Sequence, residues 1–429
     1  MELAVLRVNR RLVGAWLAAF LGVLVIAGGV LVTWLPECQG RCADVANASH
    51  PVAVVVTPGP AKLAVMPADG SKGVSPAAPV RVAARTGTLK NVSMVNDAGV
   101  EVPGTLSADR LSWTPDTQLG YGRGYTLTTT AVGPGETPTK KVSSFRTVSP
   151  DAQSYLYLRM SSGNLISEGA TYGVGAVISA RFDSPVANRA AAEARMKVTS
   201  VPAVEGSWNW VNDQTAHWRP RDYYPAGARV TVDAPMYGVP LGDGVYGAQD
   251  EKVSFLIGPR RVSIVDDVDK IVHSFENHQL VRSMPTSMGK GGVEQIAGQT
   301  LTYWTPPGIY SVFDKAESVV MDSSTYGVPV NSWLGYKLTI PWATRISTNG
   351  IYLHQLNDTV WAQGNTNVSH GCLNLSGENA QWFYNFAQPG DIVEVKNTGG
   401  PALTLEQGGD WSVPWDQWQA GSAFAVAAG

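Results

Sequence analysis

Near the C-terminus, three residues have types and spacing that suit nucleophilic chemistry. His354 lies sixteen residues before His370 and eighteen before Cys372, the latter two within Ser369-His370-Gly371-Cys372-Leu373-Asn374-Leu375-Ser376. An ordinary thiol is only a few per cent thiolate at pH 7. A neighbouring imidazole can take its proton and lower its pKa by stabilising the anion. In an extended strand His370 would share a face with Cys372, whereas His354 must reach the thiol through tertiary structure. Gly371 removes a side chain and lets backbone amides approach a substrate oxygen. Zinc is the rival reading, but structural zinc takes four ligands and catalytic zinc normally three. Only these three residues are available, with no Cys-x-x-Cys pair, so no metal or other cofactor is assigned. On spacing alone, catalysis and an inert cysteine beside two packed histidines fit equally well.

The elements around these residues read as strands. Val262–Val265, Gln279–Arg282, Gly308–Phe313 and Asp391–Val395 are short apolar or alternating runs, and a helix is expected around Glu378–Ala387, where Ala380, Phe383, Tyr384 and Ala387 share a face. His273 and His278 flank an expected hairpin at Glu276-Asn277, as solvated strand positions. Earlier in the chain a pattern repeats. Leu111-Ser112-Trp113-Thr114-Pro115 returns 105 residues later as Ala216-His217-Trp218-Arg219-Pro220, and Ser144-Phe145 returns after 110 residues as Ser254-Phe255. That period matches an immunoglobulin-like sandwich. Each tryptophan is expected to anchor a core rather than stack on sugar, packing explains Trp208, Trp210, Tyr223 and Tyr224 equally well, and His217 reads as an ordinary surface or turn residue.

Composition agrees with a β-rich chain of about three domains: 45 Gly and 27 Pro in 429 residues suit short strands joined by turns. Hydrophobic residues at 44% exclude a polytopic membrane protein and a mainly disordered chain, and a net charge of −3 leaves no basic excess for nucleic acid. Arg7, Arg10 and Arg11 precede the uncharged run Leu12–Leu35. As a helix this run spans about 36 Å, enough to cross a hydrocarbon core of about 30 Å. It reads as a signal anchor that leaves the body of the chain on the extracytoplasmic side of the cell membrane, a cleaved signal peptide being the competitor. The expected layout is anchor 1–35, linker 36–60, β modules 61–149 and 150–258, catalytic domain 259–397 and a Trp-rich extension 398–429.

His354, fourteen intervening residues and then Ser369-His370-Gly371-Cys372-Leu373-Asn374 resembles the signature of the L,D-transpeptidases, whose catalytic module is often called the YkuD domain. Ser287-Met288-Gly289, Thr305-Pro306-Pro307-Gly308, the segment Met321 to Val330, and Asp410 to Trp418 look like the same family. The layout is similar to its membrane-anchored actinobacterial members. The resemblance implies a mainly β fold: two immunoglobulin-like sandwiches, then a β-rich YkuD-type domain. It implies Cys372 as nucleophile, His354 as general base oriented by the Gln355 backbone carbonyl, and His370 as a third catalytic-site residue. Ser369, Gly371 and Asn374 would shape the pocket, with the Gly371 and Cys372 amides as oxyanion-hole donors. Tyr336 would aid that hole or cover the site. Met321 and Tyr326 would belong to a flap, lid packing being an equal reading.

The implied reaction joins peptidoglycan stem tetrapeptides, donor and acceptor, through a thioester on Cys372, releasing D-alanine and forming a 3→3 cross-link. Carbapenem-type β-lactams would acylate Cys372. The competing readings are a cysteine L,D-carboxypeptidase, in which water replaces the acceptor amine, and a non-catalytic wall-binding adaptor.

Overall fold

The computed structural model describes residues 59–425 apart from 297–298 and 333–334, and does not cover the side chains of Ile296, Gln299 and Tyr326. The expected anchor, nearly all of the linker, Cys38 and Cys42 lie outside the described residues. Among the described residues no helix is long and apolar enough to cross a membrane. The fold is mainly β.

The repeat in the sequence is a repeat in packing. Trp113 lies in strand Ser112–Pro115 and Trp218 in strand Thr215–Pro220, and both are buried. Each indole covers a glycine of the neighbouring strand: a Cβ on Gly104 or Gly206 would stand 2.1 Å from the Trp113 or Trp218 ring, so any larger residue would evict the indole. Each module closes through the predicted partner strand, with Tyr125 registered against Phe145 and Val230 against Phe255. Trp208, Trp210 and Tyr224 are buried as well, and Tyr223 is half-buried against Trp411.

From Arg261 onward come two larger sheets and a two-stranded one, Val293–Ile296 with Gln299–Thr302. The first runs in the order Gln279–Pro285, Ile271–Glu276, Arg261–Asp266, Ile392–Lys396, Gly308–Ser311, and the second in the order Asp314–Asp322, Lys337–Arg345, Tyr352–Gln355, Leu373–Leu375. Val265, Val272, Leu353, Leu373, Leu375 and Val393 share one buried cluster with residues of both sheets. The helix Gly377–Phe386 begins where Ser376 accepts the Asn379 N–H and buries Ala380 and Phe383, as the 3.6-residue spacing predicts. The first hairpin turns one residue later than expected, at Asn277-His278, both with positive φ, so His278 is a turn residue.

The tail from Asp410 packs on the second module. The Trp411 Nε1–H donates to Gly175 O and the Trp418 Nε1–H to Ser207 O, each at 2.9 Å. The Arg219 guanidinium lies 4.6–5.4 Å from the rings of Trp411, Trp415 and Trp418. His217 is no ordinary turn residue: from a central strand its Nδ1 meets the buried carboxylate of Asp410 at 2.6 Å.

Candidate active site

His354 and Cys372 are brought together by a parallel pairing of two short strands. Leu353 pairs with Leu373 and His354 with Asn374. Leu353 and Leu373 point into the core, so alternation turns His354 and Asn374 to the opposite face. Continued by one residue, the same pattern puts Cys372 on that face, with the Cα atoms of His354 and Cys372 about 8 Å apart from strand spacing and rise. The Tyr352 backbone N–H faces the Cys372 sulfur and favours its thiolate, while the thiol lies 3.6 Å from Gly350 O.

The proton positions follow from the partners. His354 Nδ1 lies 2.9 Å from Gln355 O. A carbonyl only accepts, so Nδ1 carries the hydrogen and Nε2 of the neutral ring keeps a lone pair. Burial lowers the His354 pKa to about 4 and raises that of the half-buried Cys372 to about 11. The expected depression of the thiol pKa is therefore corrected. Two desolvated groups rest as neutral imidazole and neutral thiol, because an ion pair would have to be charged out of water.

His370 does not share the Cys372 face by alternation. The chain between them is not extended, for Gly371 has φ +135°, which L side chains rarely adopt. The His370 ring instead stacks on Tyr336, with centroids 5.5 Å apart and planes 10° apart, and meets Tyr303 at 4.9 Å. Its pKa is held below the ordinary value, first by desolvation and then by the Lys290 ammonium, which itself sits 4.4 Å over the Tyr303 ring. The buried Ser369 hydroxyl accepts the Gly371 N–H at 3.0 Å and donates to Cys372 O at 2.6 Å. The Gly371 amide is thus occupied, which removes it from the expected oxyanion-hole donors and leaves the Cys372 N–H. Asn374 is 1% exposed, and neither amide atom of its side chain has a hydrogen-bond partner among the described residues.

The segment expected as a flap is carried by a hairpin of Asp314–Asp322 and Lys337–Arg345. Met321 is half-buried on its first strand, and the backbone of Tyr326 ends the turn Ser323–Tyr326, its side chain lying outside the description. Asp322 accepts the Ser324 N–H and pairs with Lys337 at 3.0 Å, which together with the Ser324 hydroxyl hold its pKa down to about 2. Among the described residues no three His, Cys, Asp or Glu side chains are grouped to hold a metal ion.

Comparison with known proteins decides the family. The L,D-transpeptidase catalytic domain family matches residues 260–395, and a bacterial Ig domain family matches 71–240. L,D-transpeptidase 2 of Mycobacterium tuberculosis (strain CDC 1551 / Oshkosh) is 42% identical over 416 residues, 96% of this chain and 96% of that protein. The chain belongs to the L,D-transpeptidase family. L,D-transpeptidase 5 of Mycobacterium tuberculosis (strain ATCC 25618 / H37Rv) is 36% identical, covering 94% of this chain and 84% of its own. Among solved structures, the LD transpeptidase LdtMt1 in complex with imipenem is 30% identical, covering 56% of this chain and 99% of that one at a TM-score of 0.46.

Within this L,D-transpeptidase, residue patterns alone did not reveal what the segment Ser287–Gly289 does, which is to carry the motif loop. Ser287 pairs with Asn374, and Gly289 pairs with Ser369, so both ends of the loop Ser369–Asn374 hang on one stretch of chain. Gly289 is there because a Cβ would stand 2.2 Å from Tyr303 O. Ser287-Met288-Gly289 was visible only as a likeness to the family. Tyr352, missed too, was legible from its position two residues before His354 on the same strand.

Proposed function

We propose that this chain is a cysteine acyltransferase that forms 3→3 peptidoglycan cross-links. The observation that carries the reading is the Nδ1–H bond to Gln355 O, which leaves the His354 Nε2 lone pair on the face that carries Cys372. As Cys372 sulfur attacks the carbonyl of the third stem residue, an L centre, its proton passes to Nε2 and the carbonyl electron pair moves onto oxygen. The Cys372 N–H donates to that oxyanion. Collapse restores the carbonyl and breaks the bond to the terminal D-alanine, whose nitrogen takes the proton from the His354 imidazolium. A side-chain amine of a neighbouring stem then attacks the thioester, gives a proton to His354, and expels the sulfur, which is reprotonated. His370, Tyr336, Tyr326 and Met321 line the path of the stems in this reading, the buried Asn374 shapes the pocket wall, and the run Leu12–Leu35 holds the enzyme at the outer face of the membrane.

Family membership supports this chemistry and, with it, acylation of Cys372 by carbapenem-type β-lactams. The test is incubation of the intact chain with a disaccharide-tetrapeptide. Dimeric muropeptides and free D-alanine are expected from the wild type and neither from Cys372→Ala. His354→Ala is expected to fall by about 10²–10⁴-fold. Tripeptide without dimer would mean a carboxypeptidase, and dimers from Cys372→Ala would refute the nucleophile.

A further inference from the structure

We infer that Thr305 is a positioning residue of the oxyanion hole, acting through the Gly371–Cys372 peptide; the inference rests on the function proposed above. Thr305 is 1% exposed, and its hydroxyl is engaged on both sides. It accepts the Gly289 N–H at 3.0 Å and donates to Gly371 O at 2.8 Å.

That second bond determines more than the carbonyl it touches. Gly371 C=O and Cys372 N–H belong to one peptide unit, which is planar and trans, so the two groups point in opposite directions. Holding the oxygen toward Thr305 therefore aims the Cys372 N–H away from Thr305. The aim needs an external hold, because Gly371 at φ +135° has no Cβ to restrict its rotation. The flanking units are held separately. The Ser369 hydroxyl takes the Gly371 N–H on one side and gives its hydrogen to Cys372 O on the other. Thr305 supplies the hold on the unit between them. The strand-like segment carrying Gly289 is itself fixed to the motif loop, since the Lys290 N–H donates to Ser369 O at 2.8 Å. The hydroxyl thus closes a short rigid circuit from Gly289 through Thr305 to the peptide whose N–H meets the developing charge, and such donors act by being held in place before the charge appears.

The test separates oxyanion stabilisation from thiol activation. β-Lactam acylation passes through a tetrahedral oxyanion, whereas alkylation of the same sulfur by iodoacetamide does not. In the intact chain, Thr305→Val keeps the shape of the side chain and removes its hydroxyl. We expect imipenem acylation of Cys372 to slow by about 10–10²-fold, less than or near the loss of a whole donor. Alkylation is expected to stay within about twofold, and Thr305→Ser is expected to restore acylation. Acylation and alkylation falling together, no change in either, or failure of serine to rescue would overturn the inference. Should the valine variant not fold, Thr305→Cys against Thr305→Ser decides. The weak thiol donor must lower the acylation-to-alkylation ratio while serine keeps it, and equal ratios would sink the idea. Absence of any adduct on Cys372 in the wild type would instead overturn the proposed function.

Discussion

A thiol and an imidazole withdrawn from water rest in whichever protonation states carry less charge, and here burial is the largest influence on each. His354 is 3% exposed and Cys372 half-covered, which moves the two pKa values apart, to about 4 and about 11. Between those values the pair is neutral, so in the proposed mechanism the proton leaves sulfur only as the carbonyl arrives. The sign of the pH dependence follows. Iodoacetamide, which needs thiolate already present, is expected to react slowly at pH 7 and faster as pH climbs toward about 11. Turnover needs an unprotonated Nε2 and is expected to decline only as pH falls through about 4. An alkylation profile with its midpoint below pH 8 would contradict this arrangement. Spacing singled out the candidate thiol and imidazoles without deciding between catalysis and packing, and their resting charges depend on burial, which arises from strands far apart in the chain.

Elements inherit the same tension where the catalytic domain meets the second module. Gly173 and Gly175 of that module donate their N–H groups to Pro389 O and Gly390 O, each at 2.8 Å, and a Cβ on Gly173 would stand 2.1 Å from Asp391 N. This closeness buries Asp391 to 2% exposure. Its Oδ2 accepts the Gln388 N–H, Oδ1 has no partner among the described residues, and burial raises the pKa to about 7. A carboxyl whose folded pKa lies above its unfolded value binds more protons when folded, so its contribution to stability falls as pH rises from about 4 to about 7. Asp391→Asn removes that slope, up to about 1.4 kcal/mol per pH unit. Urea unfolding from pH 4 to 8 should show the variant gaining on the wild type until about pH 7 and level above it; a constant difference would refute the assignment. The opposite trend from His354, buried neutral, is common to both proteins and cancels. The strand Ile392–Lys396 was legible from its alternation, and Trp113 and Trp218 from their repeat. The segment Ser287–Lys290 was not, because its partners lie some eighty residues away and no local period marks a tertiary pairing.

At the scale of the molecule, the chain end binds the second module to the catalytic domain. Arg219, 2% exposed, donates from Nε to Asp410 O at 3.0 Å and from a terminal nitrogen to Val413 O at 2.6 Å, beneath three indoles. Burial lowers its pKa to about 10, so it remains charged near neutral pH. Further along, Glu193 of the same module accepts the Ala423 N–H at 2.8 Å and the Ser422 hydroxyl. Trp-rich composition marked the tail as a segment of its own, but only the fold reveals its partner, since Arg219 and Asp410 are separated by most of the catalytic domain. Replacing Arg219 with alanine strands the buried Asp410 carbonyl and the part-buried Val413 carbonyl and removes three cation–π contacts, each about 0.5–2 kcal/mol. We expect scanning calorimetry of Arg219→Ala to split one cooperative transition into two, the earlier reporting release of the second module and tail. Acylation of Cys372 at 25 °C should persist, because the strands that pair His354 with Asn374 do not touch this clamp. A single transition at the wild-type midpoint would mean that the tail merely lies on the module, and that the Gly173–Gly390 contact with the packing of Val262 and Ile392 joins the two.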